Sequence, residues 1–512
     1  MRVLFAAAEV FPLAKTGGLA DVSRGFTIAL RRQGIDAQLI LPGYPEALQQ
    51  IEKPETVARF DVLPDTTDAT LVQGLLPQDN VPVWLVDVPS LFNRPGGPYQ
   101  DEYGRDWADN AERFAAFAHA VHQLSMGRIG CTWRPDVVHA NDWHTGLLPL
   151  LLSREQSPRL GTVFTAHNMA FQGNFDAATV TTVGLPEGIT DDVEFHGRVS
   201  FLKAGLRCAD RVTTVSPSYA KEVLTPENGC GMDGILRARG SHFSGILNGI
   251  EETYWNPAAA PWLPCGYSAK DRSGKGICKL ILQREFGLSV NPNAVMIGCV
   301  SRLTRQKMAD VVLEILPWLA HQPAQMVLMG RGDQDIEADM LQAASQHGGK
   351  LAVKVGYDER LAHLLIAGCD ILLAPARFEP CGLTQLYALR YGTIPIVRRT
   401  GGLTDTITDV DAASVANGTA SGFVFDEPDA VGLRSAIDRA LCAFRQPLLW
   451  RPLQRNAMSR DLGWNASVAK YIALYNEVYP LHHTGIGKAA PDQEIVTRAR
   501  ERSVSKNRQV NG

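Results

Sequence analysis

Short apolar runs, each followed by a longer stretch with apolar positions three and four apart, recur along the chain. Residues 3–8 form the first run. Residues 19–32 follow, with Leu19, Val22, Phe26 and Leu30 on one helical face. The same pairing returns at 136–140, 162–166, 211–216, 295–301, 326–329 and 370–375. Uninterrupted apolar runs of this length predict strands buried on both faces, and their alternation with helices predicts parallel, doubly wound sheets. The alternation restarts near Val295, so the chain reads as two α/β domains, 1–245 and 266–460. Between them, 246–265 carries Asn248-Gly249 and Trp255-Asn256-Pro257 and reads as a linker. A last amphipathic helix falls within 461–480. The segment 484–512 holds Lys488, Arg498, Arg500, Arg502, Lys506 and Arg508 without aromatics and reads as a solvated, disordered tail. Two such domains facing one another enclose a deep cleft beyond the C-terminal ends of their strands, where open parallel sheets bind ligands.

The length of 512 residues exceeds what one core supports. A net charge of −4 gives no electrostatic case for nucleic acid or an anionic membrane. No apolar run approaches the roughly 18 residues of a membrane span. Arg2 and Ala6-Ala7-Ala8 imitate an export signal. The stretch is short and leads straight into a glycine motif, so it reads as a first strand. Nine cysteines, an odd number without CxxC spacing, argue for reduced thiols in a cytoplasm and against a disulfide framework or zinc site. The histidines form no metal pattern, and no metal or cofactor is expected.

The glycine motif is Lys15-Thr16-Gly17-Gly18-Leu19-Ala20-Asp21-Val22. Gly17 and Gly18 allow a tight turn and close approach of a ligand. A helix start beyond them favours an anion, and Lys15 adds a full charge. A diphosphate cradle and an ordinary strand-to-helix turn both fit. In the second half, Arg302 stands just past a predicted strand and Lys307 five residues on, two cations suited to a departing diphosphate or, equally, to solvent. Then comes Ala376-Arg377-Phe378-Glu379-Pro380-Cys381-Gly382-Leu383-Thr384-Gln385. Glu379 precedes a proline and is held extended. The N–H groups of Gly382, Leu383 and Thr384 open a helix and suit an anion. A carboxylate beside such a turn suits a neutral polyol, such as a sugar, or simply caps the helix. In the first half, Asn141-Asp142-Trp143-His144 and His167-Asn168 follow strands. Polar groups that hold hydroxyls beside an aromatic that stacks on a ring face fit a carbohydrate site, and Trp143 and His144 fit a core as well.

Taken together these segments resemble the bacterial glycogen synthases and plant starch synthases, from Met1 to about Tyr475. Leu41-Pro42-Gly43-Tyr44 and the segment 244–249 add to the likeness. The resemblance implies two Rossmann-like domains (the GT-B fold), with the last helix crossing back to the first domain. It implies retaining transfer of glucose from ADP-glucose to the non-reducing-end 4-hydroxyl of an α-1,4-glucan, without a metal. It assigns Lys15, Gly17, Gly18 and Asp21 to the donor, Arg302 and Lys307 to its phosphates, and Glu379 to its glucose hydroxyls, with Cys381 and Gly382 beside it. His167 corresponds to a histidine whose carbonyl lies near the anomeric carbon. Asp142 and Asn248 lie near the sugar, Tyr99 on the acceptor side, and Tyr357 against the adenine. Departures also stand out. Met308 replaces a usual Gly, where a side chain would narrow or shift the phosphate loop. Glu251 replaces a usual Asp, and Cys278 a usual Asn. A UDP-sugar transferase, or a glucan- or nucleotide-binding protein of the same fold, is the rival reading. A phosphorylase would need a pyridoxal-phosphate lysine in a longer chain, and no GxGxxG follows a predicted strand as a nicotinamide enzyme requires. If Glu379 holds the donor sugar, Glu379→Gln lowers turnover by roughly 10²-fold, the cost of a misplaced substrate. Full-rate turnover by Glu379→Ala in a glucose-transfer assay would exclude the role.

Overall fold

The computed structural model describes residues 1–479 apart from 64–67, 157–158, 186–187 and 189. The expected tail at 484–512 lies outside the described residues. Two large sheets organise the chain, beside a small antiparallel one of Asn174–Asp176, Arg198–Ser200 and Glu194–Phe195. The first has nine strands in the order Phe243–Gly245, Arg211–Thr214, Gly161–Ala166, Val137–Asn141, Arg2–Ala6, Asp36–Pro42, Pro82–Asp87, Ala69–Leu75 and Glu52–Phe60. The first seven run parallel, and the last two turn back antiparallel. The apolar-run pattern does not show this extension. The edge strand Glu52–Phe60 is largely exposed and carries Lys53, Pro54 and Glu55, the polar residues and proline that keep a sheet edge from pairing further.

The second sheet has six parallel strands, ordered Leu351–Val355, Ala324–Gly330, Val295–Val300, Ile371–Ala374, Ile394–Arg398 and Phe423–Phe425. The central strands of the two sheets, Arg2–Ala6 and Ile371–Ala374, are buried on each face but for one end residue apiece, as continuous apolar runs require. The first strand ends at Ala6, earlier than the apolar run does. Ala7 still donates its N–H to Ile40 (3.1 Å), after which Val10 pairs with Ala14 and the chain curls into the glycine motif.

Two apolar cores follow. One draws on residues from Val3 to Ile246 and then takes in Trp464 to Val478; the other runs from Ile250 to Leu462. Helix Asn465–Val478 thus returns to the first core after the second is complete. It does so with Val468, Tyr471, Tyr475 and Val478, all buried and at helical spacing. Tyr471 meets Phe26 edge-on at 4.8 Å. The Tyr475 hydroxyl lies 2.7 Å from His139 Nδ1, whose Nε2 is 2.7 Å from Thr165 Oγ1, itself 2.6 Å from Thr213 Oγ1. A polar file therefore crosses three neighbouring strands under an apolar helix, each member satisfied by the next, as buried polar groups demand.

Tyr475→Ala is expected to cost about 3–5 kcal/mol through lost packing. Tyr475→Phe should cost about 1–3 kcal/mol, by stranding His139 Nδ1. Urea unfolding measures both, and equal losses would assign the whole effect to the hydroxyl.

Candidate active site

Most predicted site residues lie in the segments that leave the C-terminal ends of strands, with Asp21 and Thr384 in the helices those segments feed and Tyr99 beyond a short helix, Pro89–Phe92. On the second domain, Arg302 follows strand Val295–Val300 and Lys307 closes a short 3-10 turn, Arg305–Lys307. Arg377 clamps this segment to the next. It makes two parallel hydrogen bonds to Asp310 (2.7 and 2.8 Å), while its backbone N–H reaches Gln306 O at 2.8 Å. So braced, Lys307 Nζ forms an ion pair with Glu379. Glu379 is only 8% exposed. Arg302 is exposed, with its guanidinium 5.8 Å from the ring of Phe171 of the first domain.

The turn after Glu379 is set by Gly382, whose φ of +74° a side chain rarely adopts. Leu383 precedes helix Thr384–Arg390 and packs against both cores. A Cβ on Gly18 would lie 3.2 Å from Leu383 Cδ1, so the two glycine turns meet across the domains. The first domain also grips this loop. Ser216 Oγ donates to Pro380 O at 2.7 Å, and Glu222 accepts the Gly401 N–H at 2.7 Å. The Cys381 thiol receives a hydrogen bond from the backbone of Asn248, and burial pushes its pKa up to about 12, so it stays protonated.

On the first domain, Asp142 holds a φ of +58°, uncommon for a side-chain-bearing residue. Its Oδ1 accepts the His167 backbone N–H at 2.7 Å, and His167 Nε2 lies 2.9 Å from Asn141 Oδ1. His167 is therefore held through both its backbone N–H and its ring. Burial pushes Asp142 up to about 7, against the N–H groups of His167 and Asn168. Burial also lowers His167 to about 3, leaving a neutral ring.

Lys15 lies between carboxylates of both domains, 3.1 Å from Asp21 and 3.1 Å from Glu359. Glu359 also accepts the hydroxyls of Tyr357 (2.8 Å) and Tyr254 (3.2 Å). Burial alone would raise Glu359, but the His363 ring facing it at 3.7 Å, the Lys15 charge and the Tyr357 hydroxyl outweigh it and hold it down at about 2. Asp21 is less well served, and burial lifts it to about 6 despite Lys15. Tyr357 remains 53% exposed, so a ring face is available.

Three expectations need correction. Trp143 is enclosed by Phe114, His144 and Phe175 and is core. Its indole also packs against Gly173, where an added Cβ would lie 2.4 Å from Cε3. Gly17 is extended at φ −143°, which any residue adopts, so a tight turn does not explain it. Its N–H and that of Thr16 are donated to Glu9 Oε2 (2.8 and 2.5 Å), so these two amides hold a carboxylate of the protein itself. Met308 does take the left-handed conformation that glycine favours (φ +52°), yet its side chain is fully buried in the second core and does not enter the cleft. The strain, about 1–2 kcal/mol, is offset by the roughly 1.5–3 kcal/mol of burying such a side chain.

Glu9 and Glu359 escaped the sequence reading. Glu359 looks like a first-turn helix acid behind its Asp358 cap. Glu9 is a lone acid between a strand and a glycine motif, and only that odd position signals it. Tyr99 donates its hydroxyl to Glu9 at 2.6 Å and stacks on His144 at 4.5 Å.

A family profile described as "Starch synthase catalytic domain" matches residues 2–238, and one described as "Glycosyl transferases group 1" matches 284–443. A glycogen synthase of Burkholderia thailandensis is 49% identical over 93% of this chain and 90% of its own length. Glycogen synthase 1 of Methylococcus capsulatus is 45% identical over 96% and 99%. The catalytic domain of starch synthase IV from Arabidopsis thaliana, solved with ADP and acarbose bound, superposes with a TM-score of 0.87 at 31% identity, covering 93% of this chain and 99% of its own. A sucrose-phosphate synthase from Thermosynechococcus elongatus, at 17% identity and a TM-score of 0.58, shares the fold alone. With two facing, mainly parallel sheets and a charged cleft between them, the chain belongs to the glycogen and starch synthase family of glycosyltransferases.

Proposed function

We propose that this enzyme elongates an α-1,4-glucan by moving glucose from ADP-glucose to the 4-hydroxyl of the non-reducing end, with retention and release of ADP. The observation that carries the reading is the partly buried Lys307–Glu379 ion pair, with Arg302 five positions earlier in the chain and Lys15 reaching across from the first domain to Glu359. A diphosphate that departs gains negative charge, and cations fixed by their neighbours stabilise that charge without reorganising. Lys307 and Arg302 meet the phosphates, Lys15 joins them from the first domain, and Tyr357 stacks on the adenine. Glu379 holds hydroxyls of the donor glucose, with Asn248, Cys381, Gly382, Leu383 and Thr384 around it.

The bond from the anomeric carbon to the phosphate oxygen breaks as the carbon becomes cationic. The acceptor hydroxyl attacks from the same face and passes its proton to the departing phosphate oxygen. The fixed His167 peptide presents its carbonyl to the cationic carbon, and Asp142 holds that peptide and supplies negative potential. The Arabidopsis relative with ADP and acarbose supports this assignment of donor and acceptor. Among the described residues no helix is long and apolar enough to cross a membrane.

Labelled glucose is expected to pass from ADP-glucose to a glycogen primer at full rate in EDTA, and far more slowly from UDP-glucose. Equal rates would overturn the donor assignment. Asp142, pushed up to about 7 by burial, should give kcat an acid limb. As pH falls below about 7 the carboxylate takes a proton, its negative charge is lost, and the rate falls. Asp142→Asn should be slow at all pH and lack that limb; a limb that persists in this variant belongs to another group.

A further inference from the structure

We infer that Glu9 is a positioning residue that ties the donor loop to the acceptor aromatic, so that both substrates are registered by one carboxylate. This rests on the proposed function and on the family resemblance, which assigns the Lys15–Gly18 loop to the donor and Tyr99 to the acceptor. Glu9 is 4% exposed, and its two oxygens serve different masters. Oε2 accepts the N–H groups of Thr16 and Gly17, and Oε1 accepts the Tyr99 hydroxyl at 2.6 Å. Two amides on one oxygen fix the carboxylate plane, and the plane then fixes where the phenol must sit. Tyr99 in turn stacks on His144, which packs on Phe114 and Trp143, so the ring is held from below as well.

The chemistry asks for a carboxylate here. Three donors converge on Glu9, and only a group with acceptors at both ends satisfies them all. A glutamine of the same shape loses the charge, and it either turns its NH2 toward the two amides, where donor meets donor, or turns it toward the phenol, which must then reverse and accept. Among the described residues no Lys, Arg or His forms an ion pair with Glu9, so its charge rests on these three hydrogen bonds. Burying a charge on such terms is costly, and two amides of a loop need only a hydroxyl or a water to be satisfied. The second oxygen is what the arrangement adds. Burial and the facing carboxylate keep the Tyr99 phenol protonated, and it remains a donor.

The test is the KM of ADP-glucose and of glycogen primer, with kcat, for Glu9→Gln, Tyr99→Phe, the double variant and Tyr99→Ala. Thermal melting accompanies each. Tyr99→Phe should raise the primer KM alone, by about tenfold, as loss of a hydrogen bond to a charged acceptor does. Glu9→Gln should raise both KM values about as much. In the double variant the primer KM should match the larger single effect, because both changes remove one contact. The proposal is overturned if Glu9→Gln lowers kcat or melting temperature and leaves both KM values unchanged, or if the two effects on primer KM multiply. If Tyr99→Ala leaves the primer KM unchanged, the acceptor assignment itself falls and takes the proposal with it. If Tyr99→Ala raises it while Glu9→Gln does not, the proposal falls alone. Should Glu9→Gln not fold, Tyr99→Phe decides: it keeps the ring and deletes only the hydroxyl, and an unchanged primer KM overturns the coupling.

Discussion

Charge withdrawn from water governs this molecule. Two sheets bring their C-terminal edges together, and the loops and helix starts that leave those edges carry Glu9, Lys15, Asp21, Asp142, Lys307, Glu359 and Glu379. Desolvation penalises each charge, so each needs an opposite charge or an N–H within reach. Lys15 finds Asp21 on its own domain and Glu359 on the other. Lys307 finds Glu379. Glu9 finds two amides and a phenol. The relative position of the domains is set in part by these requirements, since Lys15, Ser216 and Glu222 all reach partners across the cleft.

The same burial sorts the titratable groups by role. His139 and His167 are lowered to about 3 and stay neutral, so they orient rather than carry charge. The Cys381 thiol stays protonated and fills space beside Asn248. Glu359 keeps its charge because several donors converge on it, whereas Asp21 and Asp142, less well paired, are driven toward neutrality. Carboxylates at one cleft thus differ by several pH units through hydrogen-bond count and opposing charge, a spread typical of catalytic sites.

Much was legible in the residues. Apolar runs and helical spacing placed both parallel sheets, because a strand buried on two faces admits almost nothing but apolar side chains. The glycine motif, Arg302, Lys307 and Glu379 were visible, since a charge or glycine at a strand end has few structural reasons to be there. Less was legible where one residue type serves two ends. Trp143 reads alike as sugar platform and as core, and only its neighbours Phe114 and Phe175 decide. Met308 reads as an obstruction, and only its φ and burial show a side chain turned into the core.

Local sequence thus settled what periodicity and residue chemistry encode within a few positions: the strand and helix succession, the division into two units, and the cations at the strand ends. Pairings between residues far apart in the chain belonged to the tertiary structure. Lys15 and Glu359 are 344 positions apart, His139 and Tyr475 336, and Glu9 and Tyr99 90. Periodicity carries no information about such distances, and a lone acid looks the same whether it faces water or another domain. What made Glu9 and Glu359 part of the site was the company the fold brought to them.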